Sequence, residues 1–196
     1  VELQKINKDF AQSYRFKSMD VWIKEPFMIR MQSKVDDSDL LMIINGPTRK
    51  LSIPKARISQ KTNLSDSPGK RQTVFDFGVL STDLLKDFFD TKFVRKERGT
   101  NEVVFDVTYV PALEDKSRHR IWIDPEMKVI TKRQWFANRG GHLMATFTYS
   151  NVVRNNGVWF ATTVNVTNAD NKLAGTTHYT NLTVNPTLAD SLFDVR

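Results

Sequence analysis

The chain has 196 residues, 40% of them hydrophobic, which suffices for one domain with its own core and would leave two domains cramped. Lys and Arg outnumber Asp and Glu by 29 to 22, and the resulting net charge of +7 suits nucleic acid, an anionic lipid surface or an acidic polymer without selecting among them. Cysteine is absent, which excludes a disulfide framework, a thiolate zinc site and a thiol nucleophile, and no apolar run reaches the length of about 18 residues needed for a membrane-spanning helix.

Lack of cysteine fits an exported bacterial protein, and many cytosolic proteins as well. The chain starts at Val1 with neither methionine nor signal peptide, so a processed or trimmed chain is expected. Residues 10–23 are rich in aromatic and β-branched types and are expected to form one long strand or two short ones. Pro26 breaks that run. Phe27, Ile29, Met31 and Val35 then alternate with Met28, Arg30, Gln32 and Lys34, the period of a half-buried strand. Asp36 to Asp39 is a turn and Leu40 to Ile44 an apolar strand. Asn45-Gly46 is the strongest hairpin signal, since both residues tolerate a positive φ. Segments 49–53 and 56–59 continue the meander, and the polar stretch 60–72, with Ser67-Pro68-Gly69, is a surface loop.

One convincing helix comes next. Ser81 or Thr82 can cap it, Asp83 complements its dipole, and Leu84, Leu85, Phe88 and Phe89 form a single apolar stripe through residue 90. Lys92, Arg95, Lys96 and Arg98 make a basic exit. Val103, Phe105, Val107 and Tyr109 alternate cleanly, 119–123 and 129–137 pair across a short turn, and Leu143, Ala145, Phe147 and Tyr149 line one strand face. Asn155-Asn156-Gly157 turns the chain into a strand to Val166, and 175–184 is the last strand. The pattern is ten or eleven strands with short connections: a mainly β chain with a few helices, in which one curved antiparallel sheet is covered by helix on its concave side.

Catalytic signatures are missing. His119, His142 and His178 lie on separate strands without metal-ligand spacing, and there is no nucleophile elbow, phosphate-binding loop or dinucleotide fingerprint. The chain is therefore not expected to be an enzyme, and neither a cofactor nor a metal is called for. Arg118, Arg120 and Trp122, with Lys132, Arg133 and Trp135 on a neighbouring strand, interleave cations with aromatics as a base-stacking surface would. Tryptophans on half-buried strands are usually core, however, and no nucleic-acid motif accompanies them, so no nucleic-acid partner is expected.

Two stretches carry a family likeness. Residues 20–30 (DVWIKEPFMIR) resemble the segment of LolA-type lipoprotein carriers in which a strand ends in Trp-x-Lys-Arg-Pro and the next begins. The run from Val158 to Val195, closing on Asn185-Pro186 and Asp190-Ser-Leu-Phe-Asp194, is similar to the end of the wider LolA, LolB and RseB superfamily of lipoprotein-sorting proteins. The likeness departs at two points. Glu25 stands where an arginine commonly precedes the proline and helps hold the lid, and the usual amphipathic N-terminal helix is missing, because the sequence enters almost directly into strand.

The resemblance implies residues 1–196 as a single lipid-binding domain, an incomplete, half-open β-barrel with helix over an apolar cavity. It implies a monomeric periplasmic carrier, exported by a signal peptide outside this sequence, that shields lipid or lipoprotein acyl chains on their way toward the outer membrane. Its partners would be an inner-membrane transporter and an outer-membrane acceptor, and its positive charge suits peripheral membrane contact. The other reading it allows is an RseB-like sensor that binds a lipid ligand and a regulatory protein. The residues expected to line the cavity and its lid are Trp22, Phe27, Ile29, Met31, Phe77, Leu84, Leu85, Phe88, Phe89, Phe105 and Phe147.

Overall fold

The computed structural model describes residues 2–8, 11, 14, 16–24, 27–35, 37–65, 71–138 and 140–196. Phe10, Glu25, Pro26, Asp36 and residues 66–70 of the polar loop, all named above, lie outside the described residues. The fold is mainly β, antiparallel and not closed into a barrel, as expected. Its strands divide into two hydrogen-bonded sheets where the sequence reading has one. The reason lies in residues 71–88, which make 3₁₀ and helical turns and add a strand to neither sheet. By contact density the chain forms two compact units: Ser13–Phe77 with Thr187–Arg196, and Val1–Gln12 with Gly78–Pro186.

The first unit holds a five-stranded meander: β1 (Met19–Lys24), β2 (Met28–Val35), β3 (Ser38–Asn45), β4 (Thr48–Ile53) and β5 (Ile58–Asn63), in sequential order. Asn45 pairs with Thr48, so the β3–β4 loop is Gly46-Pro47 rather than Asn45-Gly46, and of Asn45 and Gly46 only the glycine carries a positive φ, of 55°. β5 also runs into the stretch read as loop, because its polar side chains alternate on an edge strand that solvent can reach.

Alternation gives this sheet two faces. One carries Trp22, Lys24, Arg30, Ile43, Asn45 and Lys50, and the C-terminal tail crosses it. Lys24 Nζ donates to the Leu188 carbonyl at 3.3 Å and pairs with Asp190; Arg30 Nη1 donates to Leu192 O at 3.1 Å. Asn45 Nδ2 donates to Phe193 O at 3.1 Å, and Lys50 Nζ to Arg196 O at 2.6 Å. Four strands are thus strapped, and Phe193, in the 3₁₀ turn Asp190–Phe193, is fully buried at 0% exposure.

The second unit holds a seven-stranded sheet in the order β12-β11-β10-β9-β8-β7-β6: β6 (Phe89–Lys96), β7 (Val103–Tyr109), β8 (Arg118–Asp124), β9 (Val129–Phe136), β10 (Leu143–Asn155), β11 (Val158–Asn168) and β12 (Leu173–His178). β6 corrects the sequence reading, which extends the helix through residue 90 and treats residues 92–98 as a basic exit. Phe89 is extended (φ −129°, ψ 136°) and pairs with Tyr109, so cross-strand pairing outcompetes the last helical turn there. The final strand is shorter than expected, since pairing ends at His178.

Two helices with described bounds complete this unit. The chain's start is helical, against the expectation of immediate strand. α1 spans Glu2–Ile6, and the Ala11 N–H donates to the Asn7 carbonyl at 3.0 Å, an α-helical bond. Among the described residues, strand begins only at Met19. α1 is tied to the sheet by Asn168 Nδ2 donating to Glu2 Oε2 at 2.6 Å, with Ile6 buried. α2 (Thr82–Phe88) is capped by Ser81, whose Oγ accepts the Leu84 N–H at 3.2 Å.

Because Phe193 is fully buried in the strap, Phe193→Ala should cost about 3–5 kcal/mol of stability. Denaturant titration checks this; a loss below about 1 kcal/mol would show that the strap contributes little to the fold.

Candidate functional site

The face of the five-stranded sheet opposite the strap is the more telling one. Cross-strand pairs Val21↔Met31↔Met42 and Ile23↔Ile29↔Ile44 put six apolar side chains side by side. Ile29, Met31 and Ile44 are buried, and Met19, Val21, Ile23, Met42 and Phe77 pack against them, each partly buried. Three methionines give this face unbranched, polarisable side chains that adjust to irregular apolar shapes.

The seven-stranded sheet also has one apolar and one polar face. On the polar face Asp106 accepts from Arg118 Nη1 at 3.0 Å and from Arg120 Nε at 2.7 Å, one carboxylate between two guanidiniums. Partial burial alone would raise the Asp106 pKa, but the Arg120 hydrogen bond and the two positive charges outweigh it and hold the pKa below its ordinary value. Lys132 lies 3.8 Å from the Trp122 ring centroid and Arg118 3.8 Å from that of Phe136. The interleaved cations and aromatics of the sequence are accordingly partners of one another.

On the apolar face, Phe89, Phe105, Val107, Tyr109, His119, Ile121, Phe147, Tyr149, Val164 and Val166 fall in register. The Phe89 and Tyr109 rings are 4.7 Å apart, and Tyr109 meets His119 edge-on at 6.3 Å. Arg133 is buried on this face with its guanidinium 4.0 Å from the Phe147 centroid. The segment before α2 passes directly over Tyr149: a Cβ on Gly78, at φ 79°, would stand 2.4 Å from Tyr149 Cε1. Only glycine fits there. In α2 itself Leu84 (1%) and Phe88 (4%) are buried and Leu85 is half-buried.

The expected site residues thus separate. Ile29, Met31 and Phe77 come together in the five-stranded unit; Leu84, Leu85, Phe88, Phe89, Phe105 and Phe147 belong to the seven-stranded one. Trp22 pairs with Arg30, whose guanidinium is 5.8 Å from its ring, on the strapped face opposite Ile29 and Met31. Phe27 sits in the β1–β2 turn with the Arg71 guanidinium 4.5 Å from its centroid. Sequence reasoning did not single out Met19, Val21, Ile23 and Met42, although the alternation of both strands carries them. It also passed over the burial of His119 and Arg133, which only pairing with Val107 and Phe147 reveals. Among the described residues no group of three His, Cys, Asp or Glu could hold a metal ion, and no helix is long and apolar enough to cross a membrane.

This architecture is the LolA-like fold. A crystal structure of a LolA superfamily protein from Nitrosomonas europaea is similar at a TM-score of 0.51 and 16% identity, covering 99% of this chain and 98% of that one. A DUF1329 family protein from Desulfovibrio piger is similar at a TM-score of 0.63 and 13% identity, over 90% of this chain and 80% of that one. A structure described as an outer membrane lipoprotein-sorting protein domain, from Vibrio parahaemolyticus, aligns at a TM-score of 0.49 and 14% identity, over 93% and 95%. At these identities the likeness is one of fold. The model of a protein family described as "uncharacterized protein" matches residues 27–196, and the chain belongs to that family. Comparison with curated proteins finds no match.

Burial, with the positive charges of Arg133 and Arg118 beside it, pushes the His119 pKa well below its ordinary value of 6.5. The unfolded chain therefore takes up a proton that the folded chain refuses, and stability should fall as pH drops below that value. The slope from this one group is at most about 1.4 kcal/mol per pH unit. His119→Gln should remove that part of the acid sensitivity in denaturant midpoints measured across the range; an unchanged profile would place the sensitivity elsewhere.

Proposed function

We propose that this protein is a periplasmic carrier that shields the acyl chains of lipids or lipoproteins on their way toward the outer membrane, without chemistry of its own. The observation that supports this most directly is the methionine-bearing face of the five-stranded sheet, apolar throughout and only partly buried around its centre, on a sheet strapped on its other side. The LolA-like fold supports it further, since lipoprotein sorting is the role associated with that fold. Residues 1–196 act as one lipid-binding domain and the protein works as a monomer. It receives cargo from an inner-membrane transporter and hands it to an outer-membrane acceptor. Ile29, Met31 and Phe77, with Met19, Val21, Ile23 and Met42, hold acyl chain in the five-stranded unit. In the seven-stranded unit, Phe105 and Phe147 lie on the apolar sheet face and α2 serves as a movable cover.

Native mass spectrometry after mild purification should find bound acyl species, or their uptake from vesicles. Repeated failure with phospholipids, fatty acids and lipopeptides would sink the reading, while uptake without onward transfer to acceptor membranes would make the protein a ligand sensor. Met42→Glu places a charge on the partly buried face. It should weaken a fluorescent fatty-acid probe by roughly tenfold or more with little loss of fold, because a carboxylate facing an acyl chain is left unsolvated. Phe88→Ala tests α2. A rigid core position would lose about 3–5 kcal/mol, whereas a cover should lose less than that and bind the probe at least as tightly as before.

A further inference from the structure

Three of the five large apolar side chains that stand exposed among the described residues share one hairpin: Val153 (40%), Val158 (42%) and Trp159 (37%). β10 pairs with β9 only from Leu143 to Thr148, and β11 with β12 only from Thr163 to Thr167. Residues 152–161 therefore run on as a two-stranded ribbon past the neighbouring strands. Its tip is a two-residue loop, Asn156 at φ 47° and Gly157 at φ 80°, the conformation that matches strand twist.

The ribbon is braced along its length. The Tyr179 N–H donates to the Thr162 carbonyl at 2.8 Å, and Asn155 Nδ2 to Leu182 O at 2.9 Å. Asn156 Nδ2 donates to Val184 O at 3.3 Å, and the Phe160 and Tyr179 rings meet edge-on at 5.5 Å. By the register Val153 and Val158 lie on one face of the ribbon and Trp159 with Arg154 on the other, so the braced tip presents apolar side chains on both sides.

We infer that this ribbon tip is an anchor for the interface of an anionic bilayer. Trp159 presents the amphipathic ring favoured at headgroup depth, and Val153 and Val158 are short enough to enter the acyl boundary without a large protrusion. Arg154, across the ladder from Trp159 and 5.7 Å from its ring, is the sole Asp, Glu, Lys or Arg from residue 140 to 169. Its charge is complementary to lipid phosphates, and its stem lets the guanidinium reach them while the ring beside it stays at the interface. No carboxylate on either strand opposes that approach. Pairing with the edge of another chain is disfavoured by Asn151, which at φ 52° interrupts the β10 edge and whose carbonyl accepts from Thr162 Oγ1 at 2.7 Å. The anchor concerns where the protein docks, and it does not depend on what the apolar faces carry.

Flotation with vesicles of phosphatidylethanolamine and phosphatidylglycerol, against phosphatidylcholine alone, tests it. The wild type should float with the anionic vesicles, less so as salt is raised, and brominated acyl chains should quench tryptophan emission in a way that Trp159→Phe removes. Val153→Glu together with Val158→Glu should lower partition by roughly tenfold or more. Arg154→Glu should lower it by roughly tenfold on anionic vesicles only. Val158→Phe should raise partition, which keeps the test decisive if the double variant folds poorly. Binding of a fatty-acid probe should be the same in all of these variants, so failure of the anchor and failure of the carrier reading are separable. A wild type that does not float, or variants that float equally well, would overturn the anchor. So would a dimer in sedimentation that the double variant abolishes without any vesicle binding.

Discussion

Alternating side chains give every strand of the five-stranded sheet two sides to shelter: the C-terminal tail crosses one, and on the other Phe77 packs with partly buried neighbours around Ile29, Met31 and Ile44. The tail that carries Phe193 crosses β1 to β4 through hydrogen bonds from Lys24, Arg30, Asn45 and Lys50, all on the same side of the sheet. Those four polar side chains are what the alternation predicts for an outer face, and the tail uses them as posts. The other side holds Met19, Val21, Ile23, Met42 and Phe77, partly buried, around the buried Ile29, Met31 and Ile44.

In the seven-stranded unit the same alternation is managed differently. Its polar face is closed by its own charges: Asp106 takes both Arg118 and Arg120, and Lys132 and Arg118 lie over aromatic rings. Much of the basic surplus on these strands is thereby engaged within the sheet. The apolar face instead admits polar groups. His119 is held neutral by burial and by the neighbouring guanidinium charges, and Arg133 is stacked on Phe147. Gly78 brings the chain so close to Tyr149 that the approach to α2 is fixed on that face, whatever the helix beyond it does.

Strand identity was largely legible from the sequence, because period-two alternation is local. Val103 to Tyr109 and the hairpin at Asn156-Gly157 fall where the pattern puts them. So does the cap at Ser81, where a hydroxyl meets an N–H three residues away. The features that escaped depend on distant partners. Phe89 continues a helical stripe in sequence, but Tyr109, twenty residues on, makes it strand. α1 is hidden although Leu3 and Ile6 have helical spacing, since the aromatic and β-branched residues from Phe10 onward suggest strand. The closing motif Asp190-Ser-Leu-Phe-Asp194 is recognisable as family-like, yet its role as a strap needs four strands that lie far earlier in the chain. Of the candidate site, Ile29 and Met31 are legible from alternation. Trp22 is misplaced when its aromatic ring is weighed above its register, which puts it with Arg30.

Carriage requires that gain and release be balanced. Each acyl CH₂ taken from water contributes about 0.8 kcal/mol, so a sixteen-carbon chain would gain roughly 10 kcal/mol if nothing opposed it. Affinity of that order would make handover slow. Leu84 and Phe88 are buried in the empty protein, and exposing each would cost about 1.5–3 kcal/mol if α2 has to move. Together they would return roughly 3–6 kcal/mol and leave a net gain of roughly 4–7 kcal/mol, the range of millimolar to micromolar dissociation. In the proposed carrier, α2 would thus set how tightly an acyl chain is held in the seven-stranded unit. In the five-stranded unit the proposed reading would give the methionines a separate part, since unbranched thioether side chains repack around different apolar shapes.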